Sequence, residues 1–168
     1  MRWFFLTVAY SGLFPKAPGT AGTVAALPIG LAILVYFGSQ TLFLAALLVT
    51  LIAIKQINIH EGKSGSHDDS RIVIDELVGV WFALSIAPGV GFDLSSLMQW
   101  ENGIALQIFL SVLFFRLYDI KKPSIIGRID REAKGGLGVM GDDIIAGFAA
   151  GISAAIVWQM FLMSGWVN

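Results

Sequence analysis

Ile72-Val73-Ile74-Asp75-Glu76-Leu77-Val78-Gly79 sets two adjacent carboxylates against the start of a long apolar segment. The arrangement returns in Gly135-Gly136-Leu137-Gly138-Val139-Met140-Gly141-Asp142-Asp143-Ile144-Ile145-Ala146-Gly147. Acidic pairs at the edge of apolar sequence are costly unless something cationic holds them. Two such pairs in 168 residues suggest one shared metal site at a membrane face.

The rest of the chain fits that setting. It is 56% hydrophobic and 14% charged, with a mean hydropathy of +0.76. Soluble domains usually carry about 25% charged residues. The length suits one domain spanning 1–168. A net charge of −1 leaves no basic footprint for nucleic acid. With no cysteine, disulfides, thiolate zinc sites and a cysteine nucleophile are excluded. The first dozen residues resemble a short signal peptide only faintly, since a Gly/Pro-rich stretch follows at once.

Five apolar segments, 24–37, 42–54, 77–92, 103–115 and 144–167, predict an all-α, multi-helical bundle. They do not alternate with the period of a strand. The last reaches the roughly 20 residues that cross a bilayer, and the others fall short. Charge then favours an integral membrane protein with about five apolar helices. If all five cross with the N-terminus inside, all 11 Lys and Arg fall on the inner side. The outer side carries only Asp93 and Glu101. That is a positive-inside pattern, and it puts both acidic signatures on the cytoplasmic face. The alternative is a soluble helical bundle whose apolar faces a homo-oligomer would cover.

Four inner-side groups carry candidate chemistry. Pro18-Gly19-Thr20-Ala21-Gly22-Thr23 reads as a turn before a helix, with Thr20 or Thr23 as cap and backbone N–H groups open to an anion, or as simple packing of small residues. Asp75 and Glu76 read as metal ligands or as acidic partners of a helix N-terminus. Arg116 and Asp119 share a helix face, with Lys121 and Lys122 next and Pro123 as the stop. These side chains could form a local salt bridge and membrane anchors, or a phosphate site. Lys134 and the glycine run 135–141 read as a loop that approaches a ligand and leads into the last helix, with Asp142-Asp143 at its entrance. No Gly-Lys-Ser/Thr closes that loop, so it is not a Walker motif. Hard oxygen ligands beside phosphate-binding cations favour Mg²⁺ and metal-assisted hydrolysis of a phosphate ester. His60 and His67 read as solvated loop histidines.

Taken in order and spacing, these motifs resemble the phosphatidylglycerophosphatase A family. The likeness rests on Pro18 to Thr23, on Ile74-Asp75-Glu76-Leu77-Val78-Gly79, and on Phe115-Arg116 with Asp119, Lys122 and Pro123. It rests also on Gly135 to Met140 with Asp142-Asp143 and Ala146-Gly147, and runs from about residue 11 to residue 150. One departure is Ile125, where the family often has a second proline. The resemblance implies a Mg²⁺-dependent enzyme of the bacterial cytoplasmic (inner) membrane, its active site facing the cytoplasm. Its substrate would be phosphatidylglycerophosphate in the bilayer, cleaved to phosphatidylglycerol and phosphate. On that reading Asp75, Glu76, Asp142 and Asp143 hold the metal. Arg116, Lys122 and Lys134, with Thr20 and Thr23, bind phosphate. Asp119 orients Arg116 or serves as a base. A phosphatase of another lipid phosphate and a non-catalytic membrane protein are the alternatives.

Overall fold

The computed structural model describes residues 1–65, 69–87 and 103–164. Among them there is no strand, and six helices follow one another: α1 (Arg2–Leu6), α2 (Pro18–Ser64), α3 (Ile74–Ile86), α4 (Ile104–Lys121), α5 (Ile125–Glu132) and α6 (Gly135–Met163). The all-α expectation holds. Segments 24–37 and 42–54 are two arms of α2. Segment 77–92 lies in α3 as far as Ile86, 103–115 lies in α4 from Ile104 on, and 144–167 lies in α6 as far as Met163. Asp93, Glu101 and His67 fall outside the described residues.

The arms of α2 meet at Gly38, whose φ of 83° and ψ of 170° break the helix. A side chain at that φ would be strained, and glycine is not. The chain reverses there, as its neighbours record. Gly22 lies against Val73 and Gly30 against Trp81 and Leu84, so arm 18–37 runs alongside α3. Phe43 meets Phe82 and Phe148, while the Asn58 side-chain oxygen accepts the Gly136 N–H at 2.7 Å, so arm 39–64 runs back. α6 follows α3, with Gly147 against Gly79 and Gly151 against Ile86. α4 returns, with Gly103 beside Trp158 at one end and Arg116 beside Glu76 at the other. One end of the bundle therefore receives the starts of α2 and α3, the first turns of α6 and the end of α4.

α3 is the axis of this arrangement. Residues Glu76 to Leu84 are all buried, so the helix has no solvent face. It packs on α2 on one side and on α6 and α4 on the other. Glycine makes the second contact close. A Cβ on Gly79 would strike the Phe115 ring, and a Cβ on Gly147 would strike the Gly79 carbonyl. Backbones approach this way where small residues face each other. The outer faces are also apolar: Leu44, Leu47, Leu48 and Leu51 on α2 and Ile152, Ile156 and Met160 on α6 are exposed. Apolar patches of that extent mark contact with something other than water. α2 and α6 are long and apolar enough to cross a membrane.

Three local expectations are corrected. The glycine run 135–141 is not a loop but the first two turns of α6. Its glycines serve packing, with Gly136 against the backbone of Ile54 and Gly138 against the carbonyl of Ala133. Asp142 and Asp143 therefore sit inside the helix, and no helix N-terminus lies at them. α2 begins at Pro18, the first helical position that proline favours, so Thr20 and Thr23 are helical residues and not caps. His60 belongs to α2, stacks on Trp3 at 5.2 Å between centroids and faces Asp69 at 3.6 Å. It is not a solvated loop residue.

Gly79→Ala should cost about 1–3 kcal/mol, the usual penalty of overpacking. Thermal unfolding in detergent measures it, with Gly62→Ala as control, because Gly62 faces open space. Equal melting temperatures for the two variants would refute the close α3–α6 contact.

Candidate active site

The first turn of α3 starts the site. Its orientation is fixed by Val73, whose N–H donates to the Leu6 carbonyl at 3.0 Å. Asp75 accepts the Glu76 N–H at 2.9 Å and is partly buried. Glu76 turns inward and is 8% exposed. Its Oε2 accepts hydrogen bonds from Thr23 Oγ1 at 3.0 Å and from Arg116 Nη1 at 2.6 Å. Gly19, one turn before Thr23, leaves the space that Glu76 Oε1 occupies.

α4 contributes its last turns. Arg116 Nη1 also pairs with Asp119 Oδ2 at 2.8 Å, so one guanidinium holds carboxylates from two helices. α6 contributes Asp142 and Asp143, both buried. Asp142 accepts from Lys122 Nζ at 2.8 Å, and Lys122 pairs as well with Asp130 of α5. Asp143, 3% exposed, has no hydrogen bond or ion pair to its carboxylate among the described residues. Ligand atoms of Glu76, Asp119 and Asp143 lie within 4.8 Å of one another. Three carboxylates converging in this way could hold a metal ion.

These groups surround a cleft of about 230 Å³, lined by Asp75, Glu76, Asp119, Lys122, Asp130, Ala133, Gly138, Val139, Asp142 and Asp143. A water takes about 30 Å³ in the liquid, so ions and a phosphate group both fit. Six carboxylates face one lysine there. Burial is the main reason the Glu76 carboxyl is pushed up to about 7, and the Asp119 charge adds to it. The bonds from Arg116 and Thr23 oppose the rise. Burial alone would lower Lys122, but its bonds to Asp130 and Asp142 outweigh that and lift it above the ordinary lysine range.

The structure brings Asp75, Glu76, Asp142, Asp143, Asp119 and Lys122 to one cleft. Asp75 and Asp142 stand outside the converging group, and Asp119 stands within it. Arg116 lies behind the cleft, engaged with Glu76 and Asp119. Thr23 spends its hydroxyl on Glu76. Thr20 and Lys134 are exposed and do not line the cleft. Asp130 was not anticipated. In Arg128-Ile129-Asp130-Arg131 it reads as one more solvated charge. Gly127, three residues earlier and pressed on the carbonyl of Lys122, is the signal that this helix face packs.

Comparison with known proteins bears on the same residues. A family model described as Phosphatidylglycerophosphatase A matches residues 4–158. A protein of Escherichia coli strain K12 named Phosphatidylglycerophosphatase A is 33% identical over 157 residues, covering 93% of this chain and 81% of that one. A protein of the same name from Haemophilus influenzae is 32% identical over 140 residues, covering 83% and 78%. A Bacteroides thetaiotaomicron protein named "Putative phosphatidylinositol-3-phosphatase" is 36% identical over 150 residues, covering 87% and 86%. No solved structure gives a significant match.

The raised Glu76 carboxyl fixes the sign of a pH effect. Its folded value of about 7 exceeds the ordinary 4.5, so its contribution to stability is complete below 4.5 and is lost as pH rises through 7. The metal-free protein should melt higher at pH 6 than at pH 8. A divalent cation competes with that proton, so cation binding should weaken as pH falls from 8 to 6. Mn²⁺ titration followed by calorimetry at three pH values measures this, and an affinity flat across the range would contradict it. The groups facing Glu76 are Thr23, Asp75, Arg116, Asp119 and Asp143, and Arg116 stays charged throughout.

Proposed function

The chain belongs to the phosphatidylglycerophosphatase A family and is a lipid phosphatase, and from that premise we propose that it hydrolyses the terminal phosphate of phosphatidylglycerophosphate in a Mg²⁺-dependent reaction. The observation that carries the metal is Asp143: a buried carboxylate with no hydrogen-bond donor among the described residues, converging with Glu76 and Asp119. A buried charge without a partner is among the costliest features a fold can hold. The donor set is entirely carboxylate oxygen, which suits Mg²⁺ and not a soft metal. Bound there, the ion would neutralise and polarise phosphoryl oxygens.

The remaining work falls to the chain. Lys122, the one cationic side chain lining the cleft among the described residues, binds a phosphate oxygen. Arg116 holds Glu76 and Asp119 at their separation and acts on phosphate only through them. Asp142 anchors Lys122. Asp75, lining the cleft with only one of its oxygens hydrogen-bonded among the described residues, accepts the proton of the attacking water. As water bonds to phosphorus, the phosphorus–oxygen bond to the glycerol breaks and the alkoxide leaving group takes up a proton. Attack by a carboxylate to give an acyl phosphate is the competing route, since no cysteine exists to serve.

The setting we propose is the bacterial inner membrane. α2 and α6 are long and apolar enough to cross it, and their exposed faces are apolar. Every lysine and arginine belongs to the segments at the site end, as a cytoplasmic site requires by the positive-inside rule. The substrate's acyl chains then stay in the bilayer while its phosphates meet the cleft. The Bacteroides thetaiotaomicron relative, by its name, supports a second reading, a phosphoinositide headgroup in the same cleft.

Phosphate release in detergent micelles, with Mg²⁺ and with EDTA, tests these readings side by side on phosphatidylglycerophosphate, phosphatidylinositol 3-phosphate and phosphatidic acid. Release from the first, abolished by EDTA, is expected. Asp143→Asn should lower turnover at least about 100-fold, at the upper end of losses seen around metal sites. The exposed Glu132→Gln should leave it unchanged. Full activity in EDTA would remove the metal from the proposal, and release from the inositol lipid alone would change the substrate.

A further inference from the structure

Lys122 is placed with unusual effort. It is the residue after the end of α4, in the left-handed region at φ 43°, and Ser124 follows at φ 48° with Pro123 between them. Non-glycine residues avoid that region unless the surroundings over-determine it. The surroundings here are α5. Gly127 lies so close to the carbonyl of Lys122 that a Cβ would collide with it. Gly127 and Asp130 are three apart and share a helix face, so the packing that seats Gly127 also carries Asp130 to Lys122 Nζ.

An ammonium has three donors. In Lys122 one goes to Asp142 on α6 and one to Asp130 on α5, two neighbouring helices that line the cleft. The third remains for a ligand. Without Asp130, the long side chain either collapses onto the other carboxylates of the cleft or swings out to water, because Asp142 is its one other ion-pair partner among the described residues. Asp130 itself is a poor candidate for holding the metal: it is 37% exposed and stands outside the converging group.

We propose that Asp130 is a positioning residue, which holds the Lys122 ammonium across the cleft so that its free N–H meets an oxygen of the substrate's phosphate monoester. This deepens the reading of the cleft as a phosphatase site and rests on it. Three consequences distinguish it from a structural role. Asp130→Asn, which keeps shape and loses charge, should raise KM about tenfold and change kcat little. Asp130→Glu should restore much of the loss. In a Lys122→Met background, Asp130→Asn should add nothing, because its only target is gone.

The test uses the full chain in detergent with saturating Mn²⁺ and reads two quantities. One is KM and kcat on the lipid substrate. The other is binding of inorganic phosphate by calorimetry, which does not require turnover. Phosphate affinity should fall about tenfold in Asp130→Asn and be equal in Lys122→Met and the double variant. Unchanged phosphate affinity in Asp130→Asn, or a double variant clearly weaker than Lys122→Met, overturns the proposal. So does a loss confined to Mn²⁺ affinity, which would make Asp130 a metal ligand. Melting temperatures of the variants identify a simple loss of folding. If the wild type binds phosphate but does not cleave phosphatidylglycerophosphate, the substrate assignment fails while the role of Asp130 is still decided by the binding series.

Discussion

Arg116 Nη1, within 2.6 Å of Glu76 and 2.8 Å of Asp119, is the contact on which the site depends. α3, α4 and α6 each bring carboxylates to one end of an apolar bundle, where little water screens them. Repulsion among Asp75, Glu76, Asp119, Asp142 and Asp143 would push those helix ends apart. One guanidinium inside the cluster and one ammonium across it offset part of that charge. The remainder is what a divalent cation would neutralise. The same excess explains why the chain can afford no slack in α3–α6 packing: Gly79 and Gly147 fix the distance at which Asp143 meets Glu76.

The division of labour between the two cations follows from their chemistry. Arg116 is rigid, branched and always charged, so it suits the fixed task of joining two acidic side chains at the back of the cleft. Lys122 is a point charge on a flexible stem, suited to a ligand that comes and goes. That flexibility has to be restrained, and the restraint is built from a left-handed backbone, a proline and a short helix. The site thus combines a floor made by α3, α4 and α6 with a wall at α5, which is seated by buried Ile126, by Ile129 against Gly141 of α6, by the Gly127 contact and by the Lys122–Asp130 ion pair.

Much of this was legible in the sequence, for a physical reason. Acidic residues beside apolar runs are expensive, so their positions mark function, and Asp75, Glu76, Asp142 and Asp143 all reach the cleft. What could not be read was the partner of each group. Arg116 and Asp119 form the local i,i+3 pair that spacing predicts, yet the same arginine also reaches 40 residues back to Glu76. Asp119 converges with Glu76 and Asp143 only because α4 runs antiparallel to the other two helices. Thr23 looked like a cap because it follows a Pro-Gly pair. The true start of α2 at Pro18 turns that hydroxyl inward instead. The glycine run misled for a related reason: glycine signals close approach as well as loops, and here the approach is between helices.

The position of the carboxylates within α6 carries a last consequence. At a helix start, Asp142 and Asp143 would draw stabilisation from the N-terminal N–H groups. Two turns in, those N–H groups are already bonded within the helix, so this source is absent. Asp142 is compensated by Lys122, while Asp143 has no hydrogen-bond donor among the described residues and shares the charge of Arg116 with Glu76 and Asp119. The helix therefore carries a buried carboxyl that either a proton or a cation in the cleft would neutralise. On the proposed reading, folding of this end of the bundle and loading of the site would be coupled, and metal affinity would become part of the stability of the fold.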